Sequence, residues 1–150
     1  MTITTIRELV PVLQTAIGPV ILISGIGLLL LTMTNRLGRT IDRARELLDE
    51  YEELSSSEKS KIDREIVVLW KRARYVRNAI LLATTTCLGA ASLIILLFMT
   101  SLLHADVPLL VEAIFIFSML CLIGALIFFL LDVNITLSAL RIELEGHRKR

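Results

Sequence analysis

Three stretches of this chain carry no charged side chain: residues 9–35, 78–103 and 113–131. Each comes close to the roughly 20 apolar residues a helix needs to cross the hydrocarbon core of a bilayer. Lipid offers the backbone no water to bond, so a crossing segment must satisfy its own N–H and C=O groups, as a helix does. A soluble fold that buried all three would need a much larger polar domain around them, and 150 residues at 55% hydrophobic do not supply one. The sequence therefore predicts an all-α integral membrane protein with three transmembrane helices. The first stretch is too long for a signal peptide, lacks a basic leader and runs into Thr34-Asn35-Arg36-Leu37 with no small-residue cleavage site. It reads as a retained span.

The basic residues set the expected orientation. Eleven of the sixteen lie between Arg36 and Arg77, four more lie in the stretch 141–150, and Arg7 stands alone at the other end. Because Lys and Arg accumulate on the cytoplasmic side, this asymmetry predicts an external N-terminus and a cytoplasmic C-terminus. The expected organisation is an external N-terminus with the first span over 1–35, then a cytoplasmic helical hairpin over 36–77. A second span over 78–103, an external loop over 104–108 and a third span over 109–131 follow. A cytoplasmic helix and basic tail fill 132–150.

Residues 36–77 are patterned like packed helices. Apolar residues recur at Leu37, Ile41, Ala44, Leu48 and Tyr51, and again at Ile62, Ile66, Leu69, Ala73, Val76 and Ile80. Steps of four and three make a heptad seam. Ser55 with Glu58 fits a capping box that would start the returning helix. Folding about a tip at 55–58 places Ile41 opposite Val76, Ala44 opposite Ala73 and Leu48 opposite Leu69, with Glu46 towards Lys71 and Glu53 towards Arg64. A third seam, Val133, Leu137, Leu140 and Leu144, would complete a cytoplasmic three-helix coiled bundle. Leu47, Leu54, Val67, Val68 and Trp70 fall off the seams, and apolar residues left exposed in this way mark contacts, either with the third helix or with a second copy.

Few residues invite chemistry. Glu112 lies about a turn inside the third span, where a carboxylate marks an ion path or simply sits at a helix start; Arg7, His104 or the same residue of neighbouring subunits are its possible partners. Each span carries small or polar residues at heptad spacing: Gln14, Gly18, Gly25 and Thr32; Asn78, Thr85 and Ser92; Ser118, Ala125 and Asp132. Such stripes let helices approach closely in lipid, or line a hydrated path in an oligomer. The candidates for an ion path or relay are Glu112, Gln14, Asn35 and Asp132. Gly18-Pro19 should bend the first helix. Arg36, Arg39, Arg43, Lys71, Arg72, Arg74 and Arg77 crowd the membrane boundary and are the candidate contacts for anionic phospholipid headgroups or another anion. Mixed charge argues against nucleic acid. Cys87 and Cys121 fall within spans and read as small packing residues, while His104 and His147 lie at opposite ends of the topology. With no phosphate-binding glycine loop, zinc spacing, nucleophile elbow or facing carboxylate pair, the sequence makes no case for an enzyme, a cofactor or a metal.

The run from Leu28 to Leu37, LLLLTMTNRL, followed by Arg39 and Ile41-Asp42-Arg43-Ala44-Arg45, resembles the bacterial membrane family called domain of unknown function 2721. Arg72-Ala73-Arg74 and Arg77, leading into the second span, fit as well. The resemblance covers nearly the whole chain. It implies a bacterial inner-membrane protein, supplies no activity, and directs attention to Asn35, Arg36, Asp42 and Arg43. The expectation is a homo-oligomer with channel-like ion transport; the alternative is a non-conducting scaffold or accessory subunit that binds a partner through its bundle.

Overall fold

The computed structural model describes the backbone of residues 6–51, 56–103 and 107–148, and side chains within 10–51, 59–103 and 107–136. It is all-helical. Helix α1 is Ile6–Glu50, α2 is Ser56–Leu103 and α3 is Pro108–Arg148. All three are long and apolar enough to cross a membrane, within Leu13–Glu50, Ile62–Leu103 and Pro108–Thr136. Ser55 of the predicted capping box, Glu53, Leu54 and His104 lie outside the described residues, as do the side chains of Glu58, Arg7, Leu137, Leu140, Leu144 and His147. Pro108 opens α3, where its missing N–H costs nothing, and the Val107 carbonyl accepts from Leu110 N (3.2 Å) and Val111 N (3.3 Å). Helix α1 runs on through Pro11 and Pro19 without a break.

The chain resolves into two compact units. One draws on α1 up to Leu30 and on Leu82–Gly124; the other draws on Leu31–Leu81 and on α3 from Ala125.

The first unit packs through small residues. Ala83, Thr86, Ala90 and Leu93 of α2 are buried at alternating steps of three and four, with Ala16 and Ile26 of α1 and Ser118 and Cys121 of α3. The buried face of α2 is therefore one position removed from the Asn78, Thr85 and Ser92 stripe. Ser92 is exposed, and its hydroxyl donates to the Leu88 carbonyl at 2.9 Å. Close approach of α2 and α3 depends on glycine: a Cβ at Gly89 would collide with Ser118 Oγ, and one at Gly124 would meet Leu82 Cδ1 at 3.0 Å. The Thr86 hydroxyl lies 3.0 Å from Leu82 O and 3.2 Å from Ser118 O, which ties the two helices without leaving a polar group unsatisfied. Both cysteines are free thiols.

In the second unit the core runs at seven-residue steps: Met33, Thr40 and Leu47 on α1; Ile62, Leu69 and Val76 on α2; Ala125 and Asp132 on α3. Leu47, Ile62 and Leu69 form a cluster with Ala44, Tyr51 and Ile66 around it. The α2 seam lies where the heptad pattern predicts, but the α1 seam is rotated by one residue. Leu47 is 2% exposed while Leu48 is 54% exposed, and Thr40 is buried in place of Ile41. Leu37 and Ala73 are half-buried. Thr40 can take a core position because its hydroxyl donates to the Arg36 carbonyl at 2.9 Å, so burial strands no polar atom. The cross-helix charge pairs also differ. Arg43 meets Glu65 of α2 at 3.4 Å, where the predicted register would set it against Arg74. Glu46 pairs with Arg43 of its own helix at 3.2 Å and not with Lys71, and Arg64 Nε donates to the Ser60 carbonyl.

Candidate functional site

Among the described residues of the second unit one ionisable side chain is wholly enclosed, Asp132, at 0% exposure. It projects from α3 seven residues after Ala125 and so shares the buried face of that helix. Two guanidiniums reach it from different helices. Arg36 Nη2 of α1 lies 3.1 Å from Oδ2, and Arg72 Nε of α2 donates to Oδ1 at 3.3 Å. The contact at Oδ2 is an ion pair without hydrogen-bond geometry, so that oxygen is held by charge and not by a directed bond. Arg36 is braced further by the ring of Phe129, 5.3 Å from its Cζ, one turn before Asp132. One carboxylate thereby ties α1 and α2 to α3.

Asp132 cannot leave this arrangement cheaply. Removing one partner of a buried pair costs about 3–5 kcal/mol because a charge is left without compensation. The two arginines are about a fifth exposed, at 21% and 20%, and each presents further N–H groups beyond the one spent on Asp132.

Beside this clamp lies a groove of about 520 Å³ lined by Thr32, Arg36, Arg39, Thr40, Arg43, Leu69, Arg72 and Thr136. Thr136 Oγ1 donates to the Asp132 carbonyl at 2.9 Å, which fixes the α3 wall. Four of the seven basic residues singled out in the sequence converge here. The others line separate grooves: Arg74 and Arg77 with Leu37, Ile41, Trp70 and Ala73, and Lys71 with Arg74, Tyr75 and Phe128. Arg74 also lies over the Trp70 ring, 5.6 Å from its centroid.

The four ion-path candidates have different settings. Asp132 is locked in the clamp, and Asn35 of the same unit is exposed on α1. Gln14 and Glu112 belong to the first unit and are both exposed. Among the described residues Glu112 makes no ion pair. The sequence reading missed Thr40, Phe129 and Thr136. The seven-residue interval Met33–Thr40–Leu47 signals Thr40, and the one-turn interval Asp132–Thr136 signals Thr136.

Fold and site define an all-helical chain that fits a multi-pass membrane protein, with arginines of two helices clamped on a buried aspartate of the third. The chain belongs to the family described as "Protein of unknown function (DUF2721)", whose profile matches residues 16–142. No curated protein and no solved structure matches it.

Proposed function

We propose that the chain is a homo-oligomeric, non-conducting membrane scaffold whose copies meet along the glycine flank of α1. The observation that carries this reading is a contrast among glycines. Gly89 and Gly124 are filled positions, where a Cβ would strike the neighbouring helix; at Gly18 and Gly25, as at Gly27 and Gly38, a Cβ would meet nothing within 4 Å, and the first two share one flank. Glycine in a span leaves backbone bare, and in lipid its use is to let another helix come close. Gly18 borders an apolar crevice of about 300 Å³ with Pro19, Leu22, Ala90, Leu93, Phe115, Ser118 and Met119. Gly25 is exposed one heptad further on, with Gln14 and Thr32 on the same flank of α1. A second copy of α1 fits both the missing bulk and the polar groups.

Apolar residues outside the charge-free stretches add to the case: Ile41, Leu48, Val67 and Trp70 are exposed. Lipid, including anionic phospholipid, is the surrounding partner. The positive-inside asymmetry supports an external N-terminus and a cytoplasmic C-terminus, and the family resemblance supports the bacterial inner membrane. Channel-like transport is the second reading, favoured by the exposure of Glu112 and Gln14. The enclosure of Asp132 speaks against it, since a locked carboxylate lines no path.

Mass measurement of the full chain in nanodiscs tests the assembly. Wild type should be a multimer, and Gly25→Leu should give monomers that remain helical. A wild-type monomer defeats the proposal. Ion flux through proteoliposomes that is lost in Glu112→Gln would overturn the non-conducting half.

A further inference from the structure

The groove beside the clamp is more than a packing defect, because its lining is of one sign. Arg36, Arg39, Arg43 and Arg72 surround it, and among the described residues no carboxylate does. Behind the wall Asp132 neutralises one charge, and Glu65 and Glu46 face Arg43 at 3.4 and 3.2 Å. Among the described residues, Arg36, Arg39 and Arg72 are then left with a single carboxylate between them. Arg39 makes no ion pair among the described residues.

Like charges crowded in this way repel unless an anion joins them, and their positions are not accidental. Asp132 and Phe129 hold Arg36, and Asp132 holds Arg72, so two guanidiniums are oriented before any ligand arrives. Such preorganisation lowers the ordering cost of binding. Guanidinium presents its donors in a planar fork that matches the oxygens of a phosphate. The Thr40 and Thr136 hydroxyls spend their protons on backbone carbonyls, which leaves the arginines as the donors. A volume of about 520 Å³ is within the range of small-molecule sites and exceeds what a bare phosphate fills, so the groove has room for the group and its substituent.

We propose that this groove binds a phosphate group, with Arg39 and the guanidinium nitrogens of Arg36 and Arg72 not spent on Asp132 as its donors. The phosphate has two sources, the headgroup of an anionic phospholipid or a soluble phosphate. The proposal is independent of the oligomeric scaffold above. Arg39 is the position to test, because it is exposed and lies outside the clamp, whereas loss of Arg36 or Arg72 would also leave Asp132 with one cation in place of two. Arg45, exposed on the opposite side of α1, is the control for general charge.

Full-length protein in nanodiscs would be compared with Arg39→Gln and Arg45→Gln in two arms. One arm uses native mass spectrometry to read retention of phosphatidylglycerol against phosphatidylcholine. The other uses neutral phosphatidylcholine discs and reads the shift in thermal unfolding on adding inorganic phosphate in place of chloride at equal ionic strength. Loss of one charge-assisted contact should weaken binding about tenfold in Arg39→Gln and leave Arg45→Gln near wild type. A selective effect in the first arm assigns a lipid headgroup, and one in the second assigns free phosphate. No preference in either arm, or equal losses in both variants, overturns the proposal.

Discussion

Neutralising Asp132 is the sharpest test of the clamp. Asp132→Asn keeps the shape of the side chain but removes the charge that both guanidiniums contact, at 3.1 and 3.3 Å. A buried pair broken from one side costs about 3–5 kcal/mol when the orphaned charge cannot reach water. Here the orphans are arginines already a fifth exposed, so they can swing outward and recover hydration, which places the loss near about 3 kcal/mol. Arg36→Gln removes one of two cations and leaves Arg72 in place, so the expected loss is smaller, about 2 kcal/mol. In the double variant the losses should not add, and a coupling of about 1–2 kcal/mol should remain. The assay is unfolding of the purified chain in mixed micelles, followed by circular dichroism. If Asp132→Asn unfolds within about 0.5 kcal/mol of wild type, or the two losses add fully, the carboxylate does not join the helices as described.

Other outcomes follow from burial. Leu47→Ala should cost about 2–5 kcal/mol and Leu48→Ala less than about 1 kcal/mol, and equal losses would contradict the α1 seam. Gly89→Leu should disrupt folding through Ser118, whereas Gly27→Ala, off the Gly18–Gly25 flank, should be neutral or stabilising by up to about 1 kcal/mol from helix propensity; the same unfolding titration separates them. Cys121 is buried and Cys87 half-buried, so a membrane-permeant maleimide should label Cys87 first and Cys121 only on unfolding. Equal labelling rates in the folded chain would place Cys121 outside the core.

Three long apolar helices were legible because a charge-free run of span length has few other fates. The α2 seam was legible as well, since Ile62, Leu69 and Val76 are all apolar. The α1 seam was not, because periodicity weighs residues by hydrophobicity. Ile41 and Leu48 outscore Thr40, although Thr40 can bond its own helix and take the buried place. The charge pairing failed for a related reason: Glu46 and Lys71 are a sensible pair, but Arg43 offered Glu46 a partner on the same helix. The clamp was visible only in pieces. Asp132 was read as a relay candidate and the arginines as lipid contacts, because their meeting depends on three helices separated by long stretches of chain. Nothing local in sequence announces that Arg36, Arg72 and Asp132 share one point.

The chain has one tryptophan, and it stands outside the core: Trp70 is 64% exposed, with Arg74 over its ring. Its emission should therefore respond weakly to loss of the core and strongly to whatever covers the outer face of α2. Without any label, a blue shift on raising the protein-to-lipid ratio would register a second copy. Quenching by brominated lipid would register a bilayer instead.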